Sequence, residues 1–133
     1  MKPRDALRQL RPQLLPLFIS LLAPIFGIAA EAGDAGLRRD AELVAKAKDP
    51  TVLKQGKAVY LGLCQGCHGN EQAKGDSPSN LFDAKWYHGG RPSEIEHTIL
   101  KGVIEKNMPG WGEVLSAEDT TAVTAYLISQ QKA

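Results

Sequence analysis

Apolar residues recur at helical spacing in three stretches between Asp49 and Gln130, and no stretch alternates convincingly with the period of a strand. In the first stretch Leu53, Gly56, Val59-Tyr60 and Leu63 fall on one face. Asp49-Pro50 ahead of it pairs an N-cap acid with a proline at the first helical position, a start signal. Gly56 costs a helix about 1 kcal/mol relative to Ala, so its place there points to close backbone packing. The second stretch carries Ile95, Ile99 and Leu100; Ser93-x-x-Glu96 reads as its capping box and Gly102 as its stop. In the third, Ser116-x-x-Asp119 precedes Ala122-Val123, Tyr126-Leu127 and Gln130. Residues 69–92, rich in Gly, Pro, Ser and Asn, read as a long wrapping loop.

Two further segments precede these. Leu37 to Lys48 consists largely of helix formers, with Leu37, Ala41, Val44 and Lys48 as one weak apolar stripe, and predicts a short helix or partly ordered arm. Residues 1–12 carry Lys2, Arg4, Arg8 and Arg11 against Asp5, followed by an apolar run from Leu14 to Ala30. Ala30-Glu31-Ala32 then places small residues at the −3 and −1 positions of a cleavage site before Gly33, the order of a secretory signal peptide. The competing expectation is an uncleaved anchor through residues 14–30, at the lower edge of the ~17–25 residues a span needs and interrupted by Pro16 and Pro24. The division expected is therefore a cleavable signal over 1–32, a partly helical extension over 33–49 and a single domain over 50–133.

Charge adds little. The full chain carries 16 Lys/Arg and 15 Asp/Glu. Without residues 1–32 it keeps 12 and 13, a formal charge of −1. There is no polyanion-binding argument, and no nucleic acid is expected.

The chemistry lies in Cys64-Gln65-Gly66-Cys67-His68, the C-x-x-C-H pattern of covalent c-type haem attachment. Each sulfur can add to one vinyl group, and the adjacent imidazole is then held beneath the iron. A thioredoxin-like redox pair would need a βαβ context that the helical residues before Cys64 do not offer. A zinc site would need further ligands, and the remaining histidines, His88 and His97, are nine residues apart in different surroundings. A disulfide would leave His68 unexplained. Met108, in the loop Met108-Pro109-Gly110-Trp111, supplies a thioether suited to the second axial position; the alternative for a lone Met is core packing. His88 and His97 are the lesser candidates for that position.

On these residues, with Ser79-Asn80-Leu81-Phe82-Asp83-Ala84-Lys85-Trp86-Tyr87-His88-Gly89-Gly90 between them, the chain resembles class I cytochrome c over about residues 50–130. It is similar also to the haem domains of cbb3-type oxidases. The resemblance implies an all-α fold of helices and loops wrapped around one covalent haem c. Cys64 and Cys67 would be the tethers and His68 and Met108 the axial ligands. It implies crossing of the first and last helices where Gly56 and Tyr60 meet the neighbourhood of Tyr126. Trp86 and Tyr87, large for a solvated loop, would either pack against haem or bond a propionate, or simply fill core; Arg91 is either a further propionate partner or a free surface residue. One departure stands out. The family usually has proline directly before the Asn-Leu pair, whereas here Ser79 stands there and Pro78 one earlier, so the carbonyl serving the proximal histidine is left open.

Such a protein is expected to be a periplasmic one-electron carrier and not an enzyme, because two axial ligands leave the iron no open site. Its partners would be redox proteins: quinoprotein dehydrogenases or a bc1-type complex as donors, terminal oxidases as acceptors. They would meet a haem edge near Lys106, Gly110 and Trp111. A cytochrome subunit of a larger dehydrogenase or oxidase is the alternative, with a peroxidase-like enzyme as the third. Three helices in about 100 residues enclose little apolar core, and haem would supply the missing interior.

Overall fold

The computed structural model describes residues 27–72, 79–83 and 85–131. The chain runs through α1 (Gly27–Lys46), α2 (Pro50–Val59), a π-helical turn (Tyr60–Cys64), α3 (Gln65–His68), α4 (Pro92–Lys101), a 3₁₀ turn (Ile104–Lys106) and α5 (Ala117–Ser129). Among the described residues there is no named strand; the one isolated β-bridge joins Val103 and Met108. Most of the expected signal segment lies outside the described residues, as does Pro78. Among the described residues no helix is long and apolar enough to cross a membrane.

The central packing is α2 against α5, and small residues set its closeness. A Cβ on Gly56 would fall onto the Ala122 carbonyl and within 2.8 Å of the Tyr126 Cβ. Tyr60, four residues on, is buried edge-on to Phe82 (centroids 5.4 Å, interplanar 85°) and tilted against Tyr126 (5.6 Å). Aromatic pairs of this kind add about 0.5–1.5 kcal/mol beyond their area burial. Ile95 and Ile99 of α4 and Val123 and Leu127 of α5 complete the same core.

The caps mostly follow the sequence. Asp49 accepts from the Thr51 N–H at 2.8 Å, and the Ser116 hydroxyl from the Asp119 N–H at 3.0 Å; each such cap contributes about 1 kcal/mol. At α4 the expected box is displaced. Pro92 opens the helix, and Glu94 reaches back to the Arg91 N–H at 3.0 Å. Ser93 and Glu96 bond instead to the N-terminal helix.

That helix differs most from expectation. Its inward side consists of Gly36, Arg39, Asp40, Leu43 and Ala47, while Leu37 (62% exposed) and Val44 (42% exposed) of the anticipated stripe face solvent. Leu43 is fully buried. Arg39 pairs with Glu96 of α4 through Nε at 2.8 Å and through Nη2, and donates to the Thr121 hydroxyl of α5 at 2.7 Å. Asp40 accepts the Ser93 N–H at 2.7 Å, capping α4 from outside. Docking through charged groups leaves no apolar periodicity to read, which is why the sequence predicts only a loose arm there. The helix also begins at Gly27, ahead of the boundary drawn at Gly33.

Candidate functional site

After Val59 the helix widens by one residue for a single turn. The Gln65 N–H bonds the Tyr60 carbonyl five residues back, and the α-pattern then resumes through His68. An inserted residue rotates the downstream side chains by about 100° around the helix. This turn therefore helps decide which way Cys64, Cys67 and His68 point; π-turns of this kind recur at functional sites. No residue type in Tyr60-Leu61-Gly62-Leu63-Cys64 distinguishes it from α-helix by propensity, so the sequence carries no sign of it.

The segment past His68 is tied to the helix crossing. Tyr60 donates its O–H to the Gly69 carbonyl at 2.9 Å. Glu71 accepts from the Tyr126 O–H at 2.6 Å and from the Lys57 ammonium at 2.9 Å. Both bonds stabilise its anion, Tyr126 foremost, and hold its carboxyl below the usual carboxylate range.

His68 itself is oriented by the loop. Its Nδ1 lies 2.7 Å from the Ser79 carbonyl oxygen, which can only accept. Nδ1 therefore carries a proton, which in the neutral ring leaves Nε2 its lone pair, the tautomer that a metal-ligating imidazole needs. The carbonyl left open by the Pro78/Ser79 departure is thus that of Ser79. The next residue, Asn80, is buried and accepts the Phe82 N–H at 2.9 Å, fixing the loop's turn.

Met108 stands at the neck of a tight loop. Val103 and Met108 exchange backbone hydrogen bonds at 2.9 and 3.2 Å around the 3₁₀ turn, with Asn107 in the left-handed region (φ 60°). Gly102 ends α4 at φ 74°, and a Cβ there would strike the Met108 carbonyl and the Gly110 nitrogen. The last carbonyls of α4, on Ile99 and Leu100, accept from Trp111 and Gly112 at 2.9 and 3.2 Å. The Met108 loop is thereby folded over the end of α4.

His68 and Met108 meet in one place. Both line a cavity of about 640 Å³, within the roughly 300–1,000 Å³ usual for ligand and cofactor sites. Leu81, Ile95, Ile99, Val103 and Leu127 give it apolar walls; Lys85, Tyr87, His88 and Lys106 are its exposed members. Cys64 and Cys67 do not line it. They are free thiols, Cys67 exposed and Cys64 half-buried against the core, where burial first and then Cys67 push the Cys64 thiol up. Among the described residues no three His, Cys, Asp or Glu side chains converge to hold a metal ion.

Other expected contacts resolve differently. Trp86 lines the cavity, yet its indole N–H is already given to the Gln131 side-chain carbonyl at 3.0 Å. Arg91 lies outside the cavity wall and pairs with Glu94 at 3.1 Å and Asp40 at 3.9 Å. Trp111 is half-buried and packs against the core. His88 lines the cavity and His97 does not. A deep apolar cavity, an imidazole in the ligand tautomer and a thioether in one wall fit an iron porphyrin.

A helical fold of this order, wrapped on such a cavity, defines a class I cytochrome c with one covalently bound haem c. Residues 51–127 match the family described as cytochrome c oxidase, cbb3-type, subunit III, and the chain belongs to it. It is similar to the cbb3-type cytochrome c oxidase subunit FixP of Sinorhizobium medicae, 32% identical over 120 residues that take in 79% of this chain and 42% of that protein. It is 33% identical over 85 residues to the subunit CcoP of Rubrivivax gelatinosus, covering 64% of this chain and 28% of that one. Cytochrome c6 of Cladophora glomerata is 33% identical over 87 residues, 62% of this chain and 92% of that protein. The chain thus spans less than half of these oxidase subunits but nearly the whole of cytochrome c6. No solved structure matches it significantly.

Proposed function

We propose that the protein is an exported one-electron carrier whose haem c is tethered by Cys64 and Cys67 and ligated by His68 and Met108. The observation that carries this reading is the shared cavity, with His68 and Met108 both in its walls. The bound haem supplies a single reversible electron. The Ser79 carbonyl keeps the His68 ring turned with Nε2 free and raises its basicity. The thioether of Met108 favours the ferrous state, and the apolar walls exclude water, which disfavours the more charged ferric state. His68 and Met108 would both be held on the iron, which would leave it no position for a substrate. Partners would approach the cavity mouth at Lys85, Tyr87, His88 and Lys106, all exposed.

Export follows from the basic, apolar and small-residue order of residues 1–32, with cleavage after Ala32. Cleavage there would leave Gly33–Lys46 of α1 at the new N-terminus, still holding Arg39, Asp40 and Leu43. Donors would be dehydrogenases or a bc1-type complex, and the acceptor a terminal oxidase.

A second reading is a stable haem subunit of an oxidase, favoured by the family match to cbb3-type subunit III. Fractionation of the native host decides between them. A carrier is recovered as a soluble monomer whose mass corresponds to Gly33 onward plus one haem. Recovery in the membrane fraction, bound to oxidase subunits through salt washing, overturns the carrier reading in favour of the subunit.

A further inference from the structure

Among its described residues the cavity wall between Ser79 and Gly89 has no regular secondary structure, so side-chain contacts help hold its position. Some are local: Asn80 accepts the Phe82 N–H and Asp83 the Lys85 N–H, each at 2.9 Å. These fix turns, while the Ser79 carbonyl on His68 and the buried Phe82 ring on Tyr60 attach the start of the loop to the helices. Gln131, two residues beyond α5, attaches Leu81 and Trp86. Its side-chain oxygen accepts the Trp86 indole N–H at 3.0 Å, and its nitrogen donates to the carbonyls of Leu81 and Leu127, each at 3.2 Å. Leu81, Trp86 and Leu127 all line the cavity. A primary amide is the side chain able to accept one bond and donate two at once, and all three capacities are used here.

We propose that Gln131 is a positioning residue for the haem site, a clamp that sets how tightly Leu81 and Trp86 close the cavity and thereby tunes the reduction potential. This rests on the reading that the cavity holds the haem. Leu81 follows Ser79, the residue holding the His68 ring, by only two positions. Loosening at Leu81 therefore reaches the imidazole as well as the wall. Water admitted beside Trp86 stabilises the ferric state, and a less firmly held His68 changes ligand basicity.

The test uses the mature haem protein with Gln131→Leu, which keeps bulk and removes every bond. The ferric-to-ferrous equilibrium is expected to fall by about threefold or more, near 30 mV for one electron. The Trp86 indole proton, assigned from its loss in Trp86→Phe, should exchange faster with solvent. Gln131→Asn keeps the amide but is one methylene too short to hold both carbonyls, and should move both readings in the same direction. In a Trp86→Phe background, Gln131→Leu should change the potential by less than it does alone. A variant that loses thermal stability while its potential and indole exchange match the parent overturns the proposal and leaves Gln131 a plain helix terminator. The parent protein checks the underlying reading separately. If its Trp86 indole resonance is the same in the ferric and ferrous states, the cavity does not hold the iron, and the proposal falls with that reading.

Discussion

The Nδ1–H of His68 donates to the Ser79 carbonyl at 2.7 Å, joining the residue after the second cysteine to a loop eleven positions on. The acceptor is main chain, so the side chain at position 79 does not make the bond. Ser79→Ala is expected to leave the reduction potential and the hyperfine-shifted His68 ring N–H resonance as in the parent. A shift of that resonance would mean that the hydroxyl, not the carbonyl, sets the ring.

Covalent attachment is the next expectation. Denatured protein should keep its haem through acid–acetone extraction and show one added haem mass. Cys64→Ala and Cys67→Ala should each leave at most a single thioether, with the pyridine haemochrome band displaced to longer wavelength.

Met108→Ala should abolish the weak long-wavelength charge-transfer band of a thioether on ferric iron. It should lower the potential by at least ~60 mV, a tenfold change in the one-electron equilibrium. His88→Ala and His97→Ala should leave the band in place. Absence of the band in the parent, with a potential that shifts in His88→Ala and not in Met108→Ala, would transfer the ligand to His88, the other cavity-lining candidate.

Gly56→Ala places a methyl against the Ala122 carbonyl. The gain in helix propensity, about 1 kcal/mol, is offset by overpacking that costs about 1–3 kcal/mol and by displacement of α5. Thermal unfolding should show net destabilisation. An unchanged or higher midpoint would mean that α2 and α5 lie further apart than described.

The Glu71 carboxyl, held low first by Tyr126 and then by Lys57, gives stability a defined acid limb. Its folded value lies below the ordinary ~4.3, so its contribution is complete above that pH and is lost as pH falls through the lower folded value. Glu71→Gln should flatten stability against pH in that acid window and nowhere else. An unchanged slope would place the acid limb on other carboxylates, such as Asp119, held low by Gln55 and Ser116.

The sequence by itself determined the haem chemistry and the helical frame. The C-x-x-C-H pattern is local because two thioethers and an imidazole must reach one porphyrin from adjacent turns. The starts at Asp49 and Ser116 and the stop at Gly102 are local for the same reason: a cap acts within a few residues. Tertiary structure decided what depends on partners far along the chain. Arg39 finds Glu96, and Asp40 the Ser93 N–H, across more than fifty residues, so α1 docks through polarity that no apolar period records. Glu96 reads as a cap because Ser93 stands three residues before it, yet a carboxylate goes to whichever cation is brought near. Trp86 is expected to pack against haem or bond a propionate; it lines the cavity and gives its N–H to Gln131, a partner available only once α5 has packed beside the loop. The π-turn over Tyr60–Cys64 likewise has no sign in its residue types and appears only in the folded chain.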